Sequence, residues 1–284
     1  MNHAPHWTAD PLDLLRVGEG FRLADVDPDG KPGFDGGKSG GQRALADGVA
    51  RLADLQEQLF ACSRLGDERR ILLVLQAMDT AGKGGIVKHV MGSVDPQGVQ
   101  LASFKKPTEE ELAHDFLWRI HKEAPEPGMI GVFDRSHYED VLIGRVRELA
   151  PAAEIERRYD AINDFERELA ATGTTIIKVM LHISPDEQRE RLQERLDRPD
   201  KHWKFNPGDI DERLLAPKYQ QAYQVVFERT ATTDAPWYVI PANRKWYARL
   251  AVQHLLIDAL ERMRLDWPKA DFDVEEQKAR LAAS

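Results

Sequence analysis

The residues with chemical reach cluster first at Ala77–Gly85, AMDTAGKGG, directly after the apolar run ILLVLQ. A strand, a glycine-rich turn, a lysine and a helix start make the pattern of a phosphate-binding loop, G-x-x-x-x-G-K-[ST], in which backbone N–H groups and the lysine hold anions. Here the frame runs from Ala77 to Gly84, so alanine replaces the first glycine and glycine replaces the final hydroxyl residue. That hydroxyl is the usual Mg²⁺ ligand of such loops. Asp79 sits inside the loop instead, where a carboxylate repels phosphates unless a cation lies between them. Because Mg²⁺ takes one or two carboxylates together with phosphate oxygens and waters, the loop predicts a metal ligand relocated to Asp79, with Lys83 and the loop residues Ala81, Gly82, Gly84 and Gly85 facing phosphates. A plain turn, with Asp79 capping the helix and Lys83 solvated, is the simpler alternative.

A second acid is expected at the end of a neighbouring strand, where this architecture keeps its other metal ligand. MIGVFDRSHYEDVLIGRV supplies Asp134 at that place, followed at once by Arg135. Arg135 suits a clamp on a transferring phosphoryl group, because its planar guanidinium is always charged and donates in pairs. A surface salt bridge to Glu139 is its competing use. His137 reads as a structural hydrogen-bonding residue, since phosphoryl transfer needs positioning and charge neutralisation more than a histidine base. Further on, RPDKHWKFNPGD carries Arg198, Lys201 and Lys204 in a loop, and Arg191 and Arg195 upstream share a helix face toward the same region. P-loop kinases close such a cationic segment over phosphates. From Arg189 to Lys218, however, eight basic residues meet seven acidic ones, so a salt-bridged helix pair is the plainer reading.

Positioning these groups requires strands that end beside one another. The runs at 71–78, 99–104, 129–134, 174–183 and 237–242 are the five candidate strands. They alternate with helical patterns, which builds a parallel sheet covered by helices on both faces. Leu45, Val49, Leu52, Leu55 and Leu59 recur at helical spacing before Gly66; Pro151 opens a helix whose stripe is Ile155, Tyr159, Ile162, Phe165 and Leu169, with Gly173 at its exit. Ser184, Pro185 and Glu187 predict a capping-box start for a helix running toward Leu196. Residues 1–40, with six glycines between Gly30 and Gly41, read as a loosely ordered arm with at most an extended piece at FRLADVDP. Residues 41–284 then form a single domain with a lid at about 185–230.

A net charge of −9 and a pI near 5.5 argue against a protein that coats nucleic acid. Any polyanion must be met locally. Cys62 is the only cysteine, and neither a signal-like start nor an 18-residue apolar run occurs, so a soluble protein of the reducing cytoplasm, away from membranes, is expected.

Taken together these segments resemble the polyphosphate kinase 2 family, which moves phosphoryl groups between inorganic polyphosphate and nucleotides. The similarity runs in order from LQEQLFA through QAMDTAGKGGIVKHV, VDPQGVQLASFKKPTEEELAHDFLWR, GVFDRSHYEDVLIGRV and RPDKHWKF to APWYVIPANRKWYARLAV, about 200 residues. The resemblance implies a thymidylate-kinase-like P-loop fold, an αβα sandwich with a five-stranded parallel sheet and a helical lid. It implies that Asp79 and Asp134 bind Mg²⁺, or Mn²⁺ in its place, that Lys83 and Arg135 contact phosphates, and that Arg195, Arg198, Lys201 and Lys204 belong to the lid. A polyphosphate donor has no base to recognise, so its affinity must come from lysines and arginines, whereas the acceptor nucleotide needs a pocket. Lys105, Lys106, Asp115, Arg119 and Glu139 are the acceptor-side candidates, while Phe116 and Trp118 read as core. The 94–119 stretch most resembles members accepting both mono- and diphosphates, AMP/ADP or GMP/GDP, and the resemblance also implies a homo-oligomer. An ATP-dependent nucleoside monophosphate kinase and a non-catalytic P-loop binding module are the competing readings.

Overall fold

The five apolar runs become β1 (Arg70–Ala77), β2 (Val99–Ser103), β3 (Ile130–Asp134), β4 (Thr174–His182) and β5 (Trp237–Pro241) in the protein's computed structural model, which describes residues 7–284. They form one sheet in the order β2-β3-β1-β4-β5, every neighbouring pair parallel. β1 lies at its centre, and Ile71 to Leu75 are completely buried. Because side chains alternate along a strand, Ile71, Leu73 and Leu75 feed one core, and Leu72 and Val74 the other.

Helices close both faces. α1 (Lys38–Ser63) follows the N-terminal segment and α2 (Lys83–His89) follows β1; α3 (Ala152–Ala171), α4 (Pro185–Asp197), α5 (Gly208–Leu214), α6 (Ala216–Thr230) and α7 (Lys245–Arg262) complete the set used below. Leu52, Leu55 and Leu59 of α1 share the first core with the inner face of α7, while Ile155, Tyr159, Ile162 and Phe165 of α3 share the second with Tyr223, Val226 and Phe227 of α6. The result is a three-layer αβα sandwich. Gly173 leaves α3 at φ 92°, the left-handed exit that favours glycine. Ser184 caps α4 by accepting the Glu187 N–H (3.2 Å), but the Glu187 carboxylate takes Arg191 (2.6 Å) instead of closing a capping box.

Two expectations about the N-terminal segment need correction. From residue 7 onward it is packed, not loose: Leu12, Leu15, Leu23 and Phe34 are buried, the first, second and fourth in one core and Leu23 in the other. FRLADVDP contains a short 3₁₀ turn at Leu23–Asp25 in place of an extended piece. The segment lies along β5, where Val17 N–H donates to Trp237 O (2.8 Å) and Arg16 bridges antiparallel to Tyr238. The last of its glycines belong to α1 and serve close packing. A Cβ on Gly41 would fall 2.1 Å from the Trp246 ring of α7, and one on Gly48 would meet Gln253 at 2.3 Å. Among the described residues no helix is long and apolar enough to cross a membrane.

Candidate active site

β1 and β3 are neighbours with Leu75 in register with Asp134, so both strands deliver their following loops to one rim of the sheet. In an open parallel sheet that rim is where ligands bind. The loop after β1 turns through Thr80 (φ 68°) and Gly82 (φ 123°) into α2, and the loop after β3 begins with Arg135 at φ 63°. Thr80 and Arg135 hold a backbone conformation that side chains rarely adopt, a cost of about 1–3 kcal/mol each that clusters at functional sites. Arg135 reaches across to donate to Asp79 Oδ1 at 3.1 Å, and Lys83 Nζ lies 3.4 Å from Ala77 O. Between these loops opens a cleft of about 640 Å³, lined by eleven lysines and arginines and only Asp79, Asp134 and Glu194 as acids.

The cleft brings together Asp79, Ala81, Gly82, Lys83, Gly84, Gly85, Lys105, Lys106, Asp134, Arg135, Arg195, Lys201 and Lys204. Arg198 is not among them. It is half exposed and paired with Glu194 (3.1 Å) and Asp200 (2.9 Å), so it is a local surface ion pair and not part of the channel expected of it. Asp115 also turns away, accepting the Leu117 N–H (3.0 Å) and pairing with Arg157 (3.2 Å). Arg119 is buried and donates to Lys105 O (2.9 Å), supporting the lysine pair from below; with Trp118 it lines an adjoining recess of about 550 Å³ that shares Lys105 and Lys106. Trp118 is half-buried, not core: its ring is stacked on His114 (4.0 Å) and covered by the Lys122 ammonium (3.3 Å). Glu139 stands behind Arg135, its carboxyl pushed up by burial while Arg135 and Lys83 pull it down. Burial works against the Arg135 charge, yet Glu139, Asp79 and Asp134 outweigh it and raise its pKa. His137 is fully buried with its Nε2 3.2 Å from Glu166, whose carboxylate also takes Tyr138 (2.8 Å) and Lys178 (2.6 Å). This network fixes the turn that follows Asp134 and Arg135 from inside the second core.

Against this geometry, comparison with known proteins is decisive. The family model for polyphosphate kinase 2 matches residues 37–268. The chain belongs to that family. Its relatives include the AMP/ADP-polyphosphate phosphotransferase of Meiothermus ruber, 49% identical over 251 residues, 88% of this chain and 92% of that one. The ADP-polyphosphate phosphotransferase of Rhodopseudomonas palustris is 41% identical over 90% of this chain and 91% of its own length. Among solved structures, polyphosphate kinase 2 from Arthrobacter aurescens TC1 superposes with a TM-score of 0.96 at 61% identity, covering 98% of each chain.

Within this polyphosphate kinase 2 cleft several residues escaped the reading of the sequence. Lys88 and His89 on α2 and Lys245 and Arg249 on α7 line it beyond the phosphate loop. Lys245 and Arg249 are four residues apart and share a helix face, a signal present in NRKWYARL. Burial lowers the pKa of both, and the Arg191 charge lowers it further, although Glu194 and Glu187 pull Lys245 the other way. The donor set suits Mg²⁺ bound through substrate. Among the described residues no group of three or more His, Cys, Asp or Glu forms a cage, and Mg²⁺ in such sites takes one or two carboxylates with phosphates and waters, as Asp79 and Asp134 on the cleft wall would allow.

Proposed function

We propose that this phosphotransferase carries phosphoryl groups between inorganic polyphosphate and adenine nucleotides, AMP and ADP, with GMP and GDP as further acceptors. The observation that carries this reading is the cationic lining that runs from Lys201 and Lys204 past Lys83 to Lys88, Lys245 and Arg249, with Phe104 the single phenylalanine, tyrosine or tryptophan in it. Repeating phosphates need such a lining, whereas an ATP donor would bring a second adenine and call for an apolar or aromatic slot beyond the Trp118 recess beside Lys105 and Lys106.

An acceptor phosphate oxygen attacks the terminal phosphorus of polyphosphate; the bond to the next bridging oxygen breaks, and the shortened chain leaves with that electron pair. Such transfer needs positioning and charge compensation more than covalent help. Lys83 and the amides at the α2 start hold the donor end, Arg135 presents its fork to the oxygens of the moving group, and Lys105 and Lys106 receive the acceptor phosphate. Asp79 and Asp134 would hold Mg²⁺, which supplies neutralisation of the charge shared between the phosphates.

The test mixes the protein with Mg²⁺, ADP or AMP, and polyphosphate as sole high-energy donor. ATP from ADP, and ADP from AMP, are expected. Transfer seen only when ATP is the donor would make the protein an ordinary monophosphate kinase, and binding without turnover would make it a binding module.

A further inference from the structure

The phosphate loop is held from behind by α4, and one arginine ties it both to that helix and to the segment after β5. Arg191 is only 5% exposed. Its Nε donates to Glu187 (2.6 Å), its Nη1 to Thr80 O (3.0 Å) and Ala81 O (2.8 Å), and its Nη2 to Ala242 O (2.7 Å) and Asn243 O (3.0 Å). A guanidinium carries five N–H groups, so none is left for a ligand. Gln188, on the same face of α4 and also buried, donates to Asp79 O at 3.2 Å.

Three consecutive carbonyls, those of Asp79, Thr80 and Ala81, are therefore drawn toward α4. The peptides are trans, and in a trans peptide the carbonyl and the following N–H point in opposite directions. The N–H groups of Thr80 and Gly82 are thereby turned away from α4, while that of Ala81 closes the turn onto Met78 O (3.2 Å). One turn further along α4, Arg195 donates to Lys204 O (3.0 Å) and Asp209 (3.1 Å), anchoring the lid loop. One helix thus fixes both the loop and the lid.

We propose that Arg191 is a positioning residue for phosphoryl transfer, orienting the phosphate-loop amides through the loop carbonyls while touching no phosphate itself. The proposal rests on the reading of the cleft as a phosphoryl-transfer site. The opposing view is that Arg191, which borders the cleft, is a direct phosphate ligand.

Arg191→Lys and Arg191→Gln separate the two. Each is compared with the unmodified protein for melting temperature, for turnover with polyphosphate and ADP, and for calorimetric affinity to tripolyphosphate at several salt concentrations. If Arg191 positions the loop, an ammonium cannot replace a fork that spans carbonyls on two sides, and both variants lose turnover to a similar extent, roughly 10–100-fold. Arg191→Gln then weakens tripolyphosphate binding equally at every salt concentration. If Arg191 binds phosphate, Arg191→Lys keeps most of the turnover and Arg191→Gln makes the salt dependence shallower by about one unit of slope; that outcome overturns the proposal, as does unchanged turnover in both. Should neither variant fold, Gln188→Leu removes the Asp79 carbonyl bond together with the one Arg213 donates to Gln188 Oε1 (3.2 Å), and Arg213→Ala, which removes the latter but not the former, serves as its control. Reduced turnover with an unchanged salt slope supports the proposal, and full turnover overturns it. An unmodified protein that binds tripolyphosphate yet makes no ATP would sink the proposed function only, because the affinity comparison still decides the role of Arg191.

Discussion

Asp79 and Arg135 belong to different loops and meet at 3.1 Å, so the acid of the phosphate loop is held in place by the arginine that follows Asp134. Replacing Lys83 by alanine removes an electrostatic donor at the loop and is expected to reduce turnover on the order of a hundredfold or more. Asp79→Ala should do the same, with added Mg²⁺ restoring only part of the activity; full activity of Asp79→Ala in a steady-state assay would place the metal elsewhere. His182, at the end of β4, offers a test of stability. It is buried with Nδ1 unpartnered, and burial pushes its imidazole down from an ordinary value of 6.5 to about 4. Between those values the unfolded chain binds more protons, so stability is complete above about pH 6.5 and falls as pH drops toward 4, by up to about 3 kcal/mol from this residue. Denaturant titrations of His182→Leu should show a flatter acid limb; an unchanged limb would assign the acid sensitivity to other groups. At this scale the sequence disclosed the residues fixed by strand ends, Asp79, Lys83, Asp134 and Arg135. Arg191 stayed hidden in its role because all its partners but Glu187 are main-chain carbonyls, as far as 111 residues away, and a carbonyl leaves no mark in the pattern of side chains. Arg198 was misjudged for the opposite reason, since Glu194 and Asp200, its partners, are close neighbours in the chain.

The loop at 198–204 separates residues that face the cleft, Lys201 and Lys204, from one that does not, Arg198, and this division is measurable. Lys201→Ala and Lys204→Ala should raise the apparent KM for polyphosphate, leave that for ADP nearly unchanged, and make the salt dependence of donor affinity shallower, since each lost phosphate contact removes about one unit of slope. Arg198→Ala should alter neither KM, because an exposed ion pair contributes at most about 1 kcal/mol to stability and nothing to the channel. A donor-specific effect of Arg198→Ala would place that residue on the track after all. β1, β3 and β5 were legible because a strand buried on both faces is predominantly apolar, the edge strand β2 only by its place in the alternation, and β1 to β5 all lie within one or two residues of the runs that predict them. The start of α1 was not legible. Glycines have the same composition whether they loosen a loop or let two helices touch, and only the position of Trp246 and Gln253 on α7 distinguishes the cases.

Across the whole molecule, the segment before α1 joins both cores along β5. Each buried Leu or Phe side chain is worth about 1.5–3 kcal/mol, so deleting residues 1–36, which removes Leu12, Leu15, Leu23 and Phe34 from burial, should lower the melting temperature by at least about 10 °C. A truncated protein melting with the full chain would restore the loose-arm view. The same large-scale view applies to charge. The molecule is acidic, at −9, yet its cleft carries eleven cations against three acids. Opposite signs separated in this way give the protein two chromatographic identities. Near pH 7 it should be retained by an anion exchanger through its outer surface and by a sulfated polysaccharide resin such as heparin through its cleft. Soluble polyphosphate should then release it from heparin at concentrations too low to displace it from the exchanger, and Lys201→Ala or Lys204→Ala should elute earlier from heparin alone. Equal displacement from both resins would mean that the cleft is no distinct anion receptor.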